Sequence, residues 1–257
     1  MVASPRVSSL AIGALLAWSG PASAAIIFSD TFSNNGALNG SAPTVRPGGE
    51  TWSSTSTVAS GSLNVAATTS SFIAWTPQAN EIYRLSVDIR SSGTVSSTST
   101  YGGFGFFGNS VTTANTYAGS ANTPWGFIRT GNPTSTSIGD TVFRPLGVAT
   151  SDQNTNLTVT NTINLALVLN TNDTSGTAGV QWSLSFFING NQQGATYTYS
   201  AAETTALAAA ITSIGLTGST DVNSVSYDNF TLETIPEPSG LMLSASALGL
   251  LAIRRRR

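Results

Sequence analysis

The chain has 257 residues with 10 arginines, no lysine, and 12 acidic residues. It contains neither cysteine nor histidine, which excludes disulfides, Cys-His nucleophiles, Ser-His-Asp triads and nearly all zinc or copper sites. Residues 25–235 hold five arginines and eleven acids, a net charge of −6, so this region lacks the basic surface that nucleic-acid binding requires.

The N-terminal segment has the organisation of a secretory signal peptide. Arg6 provides a positive n-region, residues 10–18 form an apolar run, and Ala22-Ser23-Ala24 is a small-residue cleavage motif before Ala25. An ordinary N-terminal helix is the alternative, but it does not explain why the run ends at Gly20-Pro21. We therefore expect residues 1–24 to be removed on export.

The first half of the remaining chain predicts short strands separated by Gly, Ser, Asn and Pro. In residues 82–90, Tyr83, Leu85, Val87 and Ile89 alternate with polar residues, as in a half-buried strand. The predicted strands are Ile26 to Phe32, Trp52 to Val58, Ser62 to Val65, Ser71 to Trp75 and Ile82 to Arg90.

The second half continues this pattern after a segment, Asn109 to Asn156, that is predicted to be rich in loops. Asn189-Gly190 predicts a type I′ hairpin, because both central positions of that turn need positive φ. Ser200 and Glu203 form a capping-box pattern ahead of one predicted helix, Ala201 to Ile211. The predicted strands are Tyr101 to Gly108, Ile163 to Asn170, Val180 to Ile188, Gln193 to Tyr199, Ile214 to Leu216 and Val222 to Leu232.

About a dozen short strands with close turns predict an all-β fold, a two-sheet antiparallel sandwich or jelly roll over residues 25–234. The opening Asp30-Thr31-Phe32, the later Gly49-Glu50-Thr51-Trp52, Phe187-Ile188-Asn189-Gly190 and the closing Tyr227-Asp228-Asn229-Phe230 resemble concanavalin A-like (laminin-G-like) domains. The resemblance implies that sandwich fold and, in many members, carbohydrate binding.

Residues 103–108, Gly-Phe-Gly-Phe-Phe-Gly, match the dinucleotide-binding pattern G-x-G-x-x-G. That site needs a helix directly after the glycines, so that its amides face the pyrophosphate. Asn109-Ser110-Val111-Thr112-Thr113 does not have a helical pattern. We interpret these glycines as positions of close packing within a strand.

The carboxylates do not follow the spacing of a sandwich glycosidase. Laminarinase-type enzymes place acid and nucleophile on one strand face as Glu-x-Asp-x-x-Glu, and this spacing does not occur here. Glu81 and Asp88 are seven residues apart and point to opposite faces. We therefore expect no catalytic residues and no enzyme activity, with a polysaccharide-active enzyme using another carboxylate site as the alternative.

Aromatic side chains that are exposed to solvent could stack on sugar rings. Trp125 lies between Pro124 and Gly126 in the loop-rich segment, so we select Trp125, Tyr101 and Tyr117 as candidate ligand-binding residues. Trp52 and Trp182 occur in strand patterns and are expected in the core. A purely structural protein that binds no small ligand is the other alternative.

The concanavalin A-like resemblance also implies that calcium could tie the first and last strands. Asp30 and Asp228 are the candidate ligands, because calcium prefers hard oxygen donors. The alternative is that Asp228 caps a turn or accepts bonds from buried amides. No other cofactor is predicted.

The segment from residue 235 to residue 257 contains Pro236-Glu237-Pro238, an apolar run over residues 239–253, and Arg254, Arg255, Arg256 and Arg257 at the end. The run would form roughly 22 Å of helix, short of a ~30 Å hydrocarbon core, although arginine snorkelling reduces the gap. A buried terminal helix is the alternative, but four final arginines favour a transmembrane helix.

This arrangement resembles the PEP-CTERM sorting signal of exported bacterial proteins. The resemblance implies an exosortase-type processing enzyme as partner, a transient inner-membrane anchor, and a final location at the surface or in the extracellular matrix of a Gram-negative bacterium. We expect an exported, non-enzymatic protein of biofilm or exopolysaccharide, with polysaccharide as a candidate partner and no nucleic acid.

Overall fold

The computed structural model of the protein describes residues 24–65, 69–91, 101–108, 123–129, 140–146, 155–156, 162–173, 181–219 and 225–236. The predicted signal peptide before Ala24, Tyr117, and the sorting segment beyond Pro236 lie outside these residues. In the part of the chain that is described, no helix has the length and apolar character needed to cross a membrane.

The described residues form two antiparallel sheets, and the larger one has nine strands. Its order is β14-β13-β12-β7-β16-β5-β4-β2, with β1 also paired to β16. The strands are β1 (Ala25–Asp30), β2 (Gly36–Ala37), β4 (Thr57–Ala59), β5 (Ser62–Val65), β7 (Ile82–Ser91), β12 (Ile163–Asp173), β13 (Gln181–Ile188), β14 (Asn191–Thr198) and β16 (Val225–Thr234).

The smaller sheet has seven strands in the order β11-β10-β9-β8-β15-β6-β3. These strands are β3 (Ser53–Ser54), β6 (Thr69–Ala74), β8 (Tyr101–Phe107), β9 (Trp125–Arg129), β10 (Asp140–Arg144), β11 (Thr155–Asn156) and β15 (Ser213–Ser219). The two sheets confirm the predicted all-β sandwich.

The core lies between the sheets, where the alternating residues of β7 pack as their pattern predicted. Tyr83, Leu85, Val87 and Ile89 are all buried. Phe143 of the seven-stranded sheet stacks on Phe186 of the nine-stranded sheet, with ring centroids 5.4 Å apart. Such contacts add to the hydrophobic stabilisation that holds the sheets together.

The hairpin and the helix also form where local sequence predicted them. Asn189 and Gly190 have φ values of 48° and 78° in the turn between β13 and β14. Helix α1 (Ala201–Ala210) has both bonds of the capping box, since the Ser200 side chain accepts from the Glu203 amide and the Glu203 side chain accepts from the Ser200 amide.

The prediction of loops from Asn109 to Asn156 is wrong where β9, β10 and β11 form. β9 pairs with both β8 and β10. Trp125, Phe127 and Ile128 are all buried although they point to both faces of the sheet. A strand covered on both faces loses the alternating pattern that identifies a half-buried strand.

Candidate functional site

A cavity of about 510 Å³ lies beside the edge strands β2 and β4 of the nine-stranded sheet, next to the end of β1. Most of its lining comes from the segment between β1 and β3. We call it the edge cavity; its lining residues are Asp30, Phe32, Ser33, Asn34, Asn35, Ala37, Leu38, Ser41, Ala42, Pro43, Thr44 and Val58.

Asp30 fixes the inner end of the edge cavity. It is 7% exposed, its Oδ1 accepts a 2.9 Å bond from the Phe32 amide, and its Oδ2 accepts a 2.7 Å bond from Trp52 Nε1. The first bond spans two residues and accompanies a φ of 48° at Phe32. A buried carboxylate needs such donors, because it has lost its hydration.

Backbone bonds hold the rest of the wall. Ser29 and Val45 exchange two bonds of 3.1 and 3.0 Å, which tie the end of the segment back to β1. The Gly40 amide donates to the Trp52 carbonyl at 2.8 Å, and the Trp52 amide donates to the Ser41 carbonyl at 2.9 Å. These backbone bonds fix the path of the segment that lines the cavity.

Apart from the Asp30 carboxylate at its inner end, the described lining of the edge cavity combines uncharged polar groups with apolar surface. Hydroxyl and amide groups come from Ser33, Asn34, Asn35, Ser41 and Thr44. Apolar surface comes from the buried residues Phe32, Leu38, Pro43 and Val58. Groups that both donate and accept hydrogen bonds beside apolar patches suit a ligand with many hydroxyls and C–H faces.

The predicted exposure of Trp125 and Tyr101 is wrong. The structure places the two rings next to each other, with centroids 6.1 Å apart, but Trp125 is 1% exposed and Tyr101 is 6% exposed. Trp125 stacks on Phe127 at 4.4 Å, and the Arg144 guanidinium lies 5.2 Å from the Phe127 ring centre. These aromatic side chains form a second apolar cluster, on the other side of the seven-stranded sheet from the main core.

The glycines of β8 allow this cluster to pack. A Cβ on Gly105 would lie 2.5 Å from Trp125 Cβ, and one on Gly103 would lie 2.9 Å from Phe127 Cβ. β8 is a strand that pairs with β15 and β9. Residues 103–108 therefore serve close packing, as the sequence indicated.

The first and last strands pair, as the candidate calcium site required, and Asp30 and Asp228 lie in different environments. Asp30 pairs with Phe230 and points inward, where both its oxygens are engaged. Asp228 is half-buried on the outer face, where it pairs with Asp88. Within the described residues, no three His, Cys, Asp or Glu side chains are placed to hold a metal ion.

Asp88 and Asp228 belong to a polar network on that outer face. Asp88 accepts 2.8 Å bonds from Asn164 Nδ2 and Asn229 Nδ2, and the Asn229 amide donates to Asp228 Oδ1 at 2.7 Å. Burial raises the pKa of Asp228; the bond from the Asn229 amide opposes this increase, and the Asp88 and Asp30 carboxylates add to it. Asp228 therefore accepts a hydrogen bond from the exposed amide of its neighbour Asn229, and the structure shows no bond to it from a buried amide among the described residues.

The edge cavity is not predicted by the sequence patterns. Asn34, Asn35 and Gly36 have the composition of a turn, because Asn and Gly are typical of turns, and this composition alone does not indicate a cavity. A segment of Ser, Asn, Thr and Pro between two strand patterns, longer than a tight turn needs, is the signal that could have indicated a binding loop.

Comparison with known proteins gives a fold and no family. No protein-family model matches the chain, and no curated protein matches it. An endo-1,3-beta-glucanase from Streptomyces sioyaensis is similar in structure, with 12% identity, a TM-score of 0.51, and coverage of 85% of this chain and 100% of that chain.

Two further solved structures are similar at lower scores. The potassium-bound Emp46p carbohydrate recognition domain has 12% identity and a TM-score of 0.44, and covers 71% of this chain and 87% of that chain. A Bauhinia forficata lectin in complex with GalNAc has 8% identity and a TM-score of 0.44, and covers 72% of this chain and 92% of that chain. The two antiparallel sheets of the described residues and the likeness to the glucanase at a TM-score of 0.51 show a two-sheet sandwich fold.

Proposed function

We propose that this protein is an exported, non-catalytic carbohydrate-binding sandwich, and that a sugar occupies the edge cavity. The observation that carries the proposal is the lining of that cavity. Five hydroxyl- or amide-bearing residues, Ser33, Asn34, Asn35, Ser41 and Thr44, surround a space of about 510 Å³. That volume is within the range of small-ligand sites, roughly 300–1,000 Å³.

Sugar chemistry fits these groups. Each ring hydroxyl donates and accepts, and the amides of Asn34 and Asn35 can do both at the same time. Phe32, Leu38 and Val58 provide apolar contact for C–H groups. The glucanase of similar fold acts on a polysaccharide by its name, which agrees with a carbohydrate ligand but does not identify one.

The carboxylates favour binding over hydrolysis. Glycosidases generally use two carboxyl groups across the scissile bond, roughly 5–10 Å apart. Among the described lining residues of the edge cavity, Asp30 is the single carboxylate, and its two oxygens already accept bonds from Phe32 and Trp52. It is not available as an acid or a nucleophile.

A polysaccharide-active enzyme is the second candidate, and one observation favours it. Asp88 and Asp228 lie opposite each other in register, and burial raises the pKa of Asp228, as it does for the catalytic acid of some hydrolases. Asp88 is held by two asparagine amides, however, and neither residue lines the edge cavity. We therefore place this candidate second.

Export and C-terminal sorting complete the proposal. Residues 1–24 would be the signal peptide, Pro236, Glu237 and Pro238 the motif for an exosortase-type enzyme, and the four final arginines the stop. The position of the motif agrees with this, because the last backbone bond among the described residues is donated by the Ile235 amide, 2.7 Å to the Ile82 carbonyl, directly before Pro236. The processed protein would be a component of the surface or matrix.

Glycan-array binding by the purified protein tests carbohydrate binding at the edge cavity. We expect signal on a subset of glycans and at least a tenfold loss in affinity for the double variant Asn34→Ala/Asn35→Ala, on the order of 1–2 kcal/mol for lost hydrogen bonds. Asn191→Ala, at an exposed site on the distant β14, is the matched control and should bind like the wild type. Absence of glycan binding, or equal loss in the control, contradicts the proposal.

A further inference from the structure

The lining of the edge cavity also sets the class of glycan it can accept, provided that the proposed function holds. We infer that this cavity takes neutral sugars and rejects sugars that carry a carboxylate, such as uronic acids. The negative sign and the fixed position of the charge at the cavity determine this selectivity. The volume of the cavity and its hydroxyl groups do not.

The one formal charge among the described lining residues is negative. Asp30 carries it, 7% exposed at the inner end of the cavity. Bonds of 2.9 Å from the Phe32 amide and 2.7 Å from Trp52 Nε1 hold both oxygens. This carboxylate therefore cannot turn away from a second negative charge that enters the cavity.

No described lining residue is an arginine, and the chain has no lysine. The closest arginine in sequence, Arg46, donates to the Glu50 carbonyl at 2.6 Å within its own loop. Arg84 is paired with Glu233 at 3.2 Å. A uronate in the cavity would thus lose water, face a fixed like charge and find no cationic partner among the described lining residues.

Neutral hydroxymethyl groups are not repelled by the Asp30 carboxylate and carry no charge that must be desolvated. They exchange bonds to water for bonds to hydroxyls and amides, an exchange that is close to neutral in free energy. A pair of ligands that differ only at C6, with CH₂OH in one and COO⁻ in the other, isolates the electrostatic difference. Like-charge opposition of this kind is a known way to reject a wrong partner.

The test uses the purified full chain in calorimetric titrations with cellohexaose, laminarihexaose and mannohexaose, each also in its C6-oxidised form. We expect at least one neutral hexasaccharide to bind about tenfold or more tightly than its oxidised form. Equal or tighter binding of the oxidised form overturns the inference while leaving the proposed function in place. Failure of all six ligands and of the glycan array overturns the proposed function, and this inference with it.

A rim variant makes the test specific to the edge cavity. Ala42 is exposed and lines the cavity, so Ala42→Lys adds a cation there without disturbing the core. Ala42→Lys should raise the affinity for the oxidised hexasaccharide and reduce the ratio of neutral to oxidised affinity several-fold. Ala42→Gln, which has a similar length and no charge, should leave both quantities unchanged. If the two variants bind alike, the charge at this cavity does not set the selectivity, and the inference is wrong.

Discussion

The indole nitrogen of Trp52 donates a 2.7 Å hydrogen bond to Oδ2 of Asp30, in the interior of the sandwich. The two residues are 22 positions apart in sequence, and their bond closes the segment that forms the edge cavity. The Trp52 ring also packs between Phe32 at 5.7 Å and Phe230 at 5.3 Å, so one side chain joins the cavity wall to the core.

Trp52→Phe keeps an aromatic ring but removes the donor to Asp30. We expect a loss of about 1–3 kcal/mol in the free energy of unfolding, because a buried carboxylate oxygen is left unsatisfied. Urea denaturation measures the loss. Trp75→Phe is the matched control, since that partly buried indole packs against Tyr83 and Phe106; an equal loss there would mean that ring volume and not the hydrogen bond is responsible.

Gly105→Ala should destabilise the fold, because the added Cβ would lie 2.5 Å from Trp125 Cβ and 2.6 Å from the Pro124 carbonyl oxygen. Overpacking of this kind costs about 1–3 kcal/mol, seen as a lower thermal midpoint. Gly49→Ala is the control, because a Cβ there has no atom within 4 Å. An unchanged midpoint for Gly105→Ala would contradict the packing role of the β8 glycines.

Asp228→Asn should raise the stability of the protein at about pH 7. Burial, with Asp88 nearby, raises the pKa of Asp228 above its usual 3.8 in the folded state. Because the pKa of this carboxyl is higher in the folded state than in the unfolded state, its ionisation lowers the free energy of unfolding as the pH rises above the usual pKa. This loss of stability is absent at lower pH. The gain in thermal midpoint should therefore disappear near pH 3, and a gain of equal size at pH 7 and pH 3 would contradict this account.

Ser200→Ala should weaken helix α1 by about 1 kcal/mol, because the hydroxyl that accepts from the Glu203 amide is removed.

The Ser200 amide lowers the pKa of Glu203, so the ionised Glu203 carboxylate stabilises the fold above its usual pKa. This contribution is lost as the pH falls through the lowered value. Urea midpoints against pH measure both effects. Thr205→Ala, whose hydroxyl bonds a carbonyl of its own helix, should cause no comparable loss.

Replacing Pro236-Glu237-Pro238 by three alanines tests the sorting proposal in the producing bacterium. We expect the variant to stay with the membrane fraction at its unprocessed mass, while the wild type is released after cleavage at both ends. Intact-mass measurement of each fraction distinguishes these forms. Unchanged release of the variant, or a released wild type that retains the arginine tail, would contradict the proposal.

Local patterns were sufficient for many elements of the fold. The alternation in β7, the Asn189-Gly190 turn and the Ser200–Glu203 cap each depend on residues within a few positions of one another, so sequence alone predicts them. The same reasoning failed for β9. Trp125 was expected in an exposed loop, but it lies in a strand covered on both faces, and the neighbours that cover it are far away in sequence.

Sequence by itself determined the class of this protein: an acidic chain without cysteine or histidine, with a β-rich body between two segments that have the composition of export signals. Only the tertiary structure shows which polar side chains are buried, which face solvent and which line a cavity. Strand pairing directs Asp30 inward to Trp52 and Asp228 outward to Asp88, although the first and last strands are neighbours. Because a side chain's environment depends on register and on which sheet face it occupies, the edge cavity appeared only once the strands were assembled.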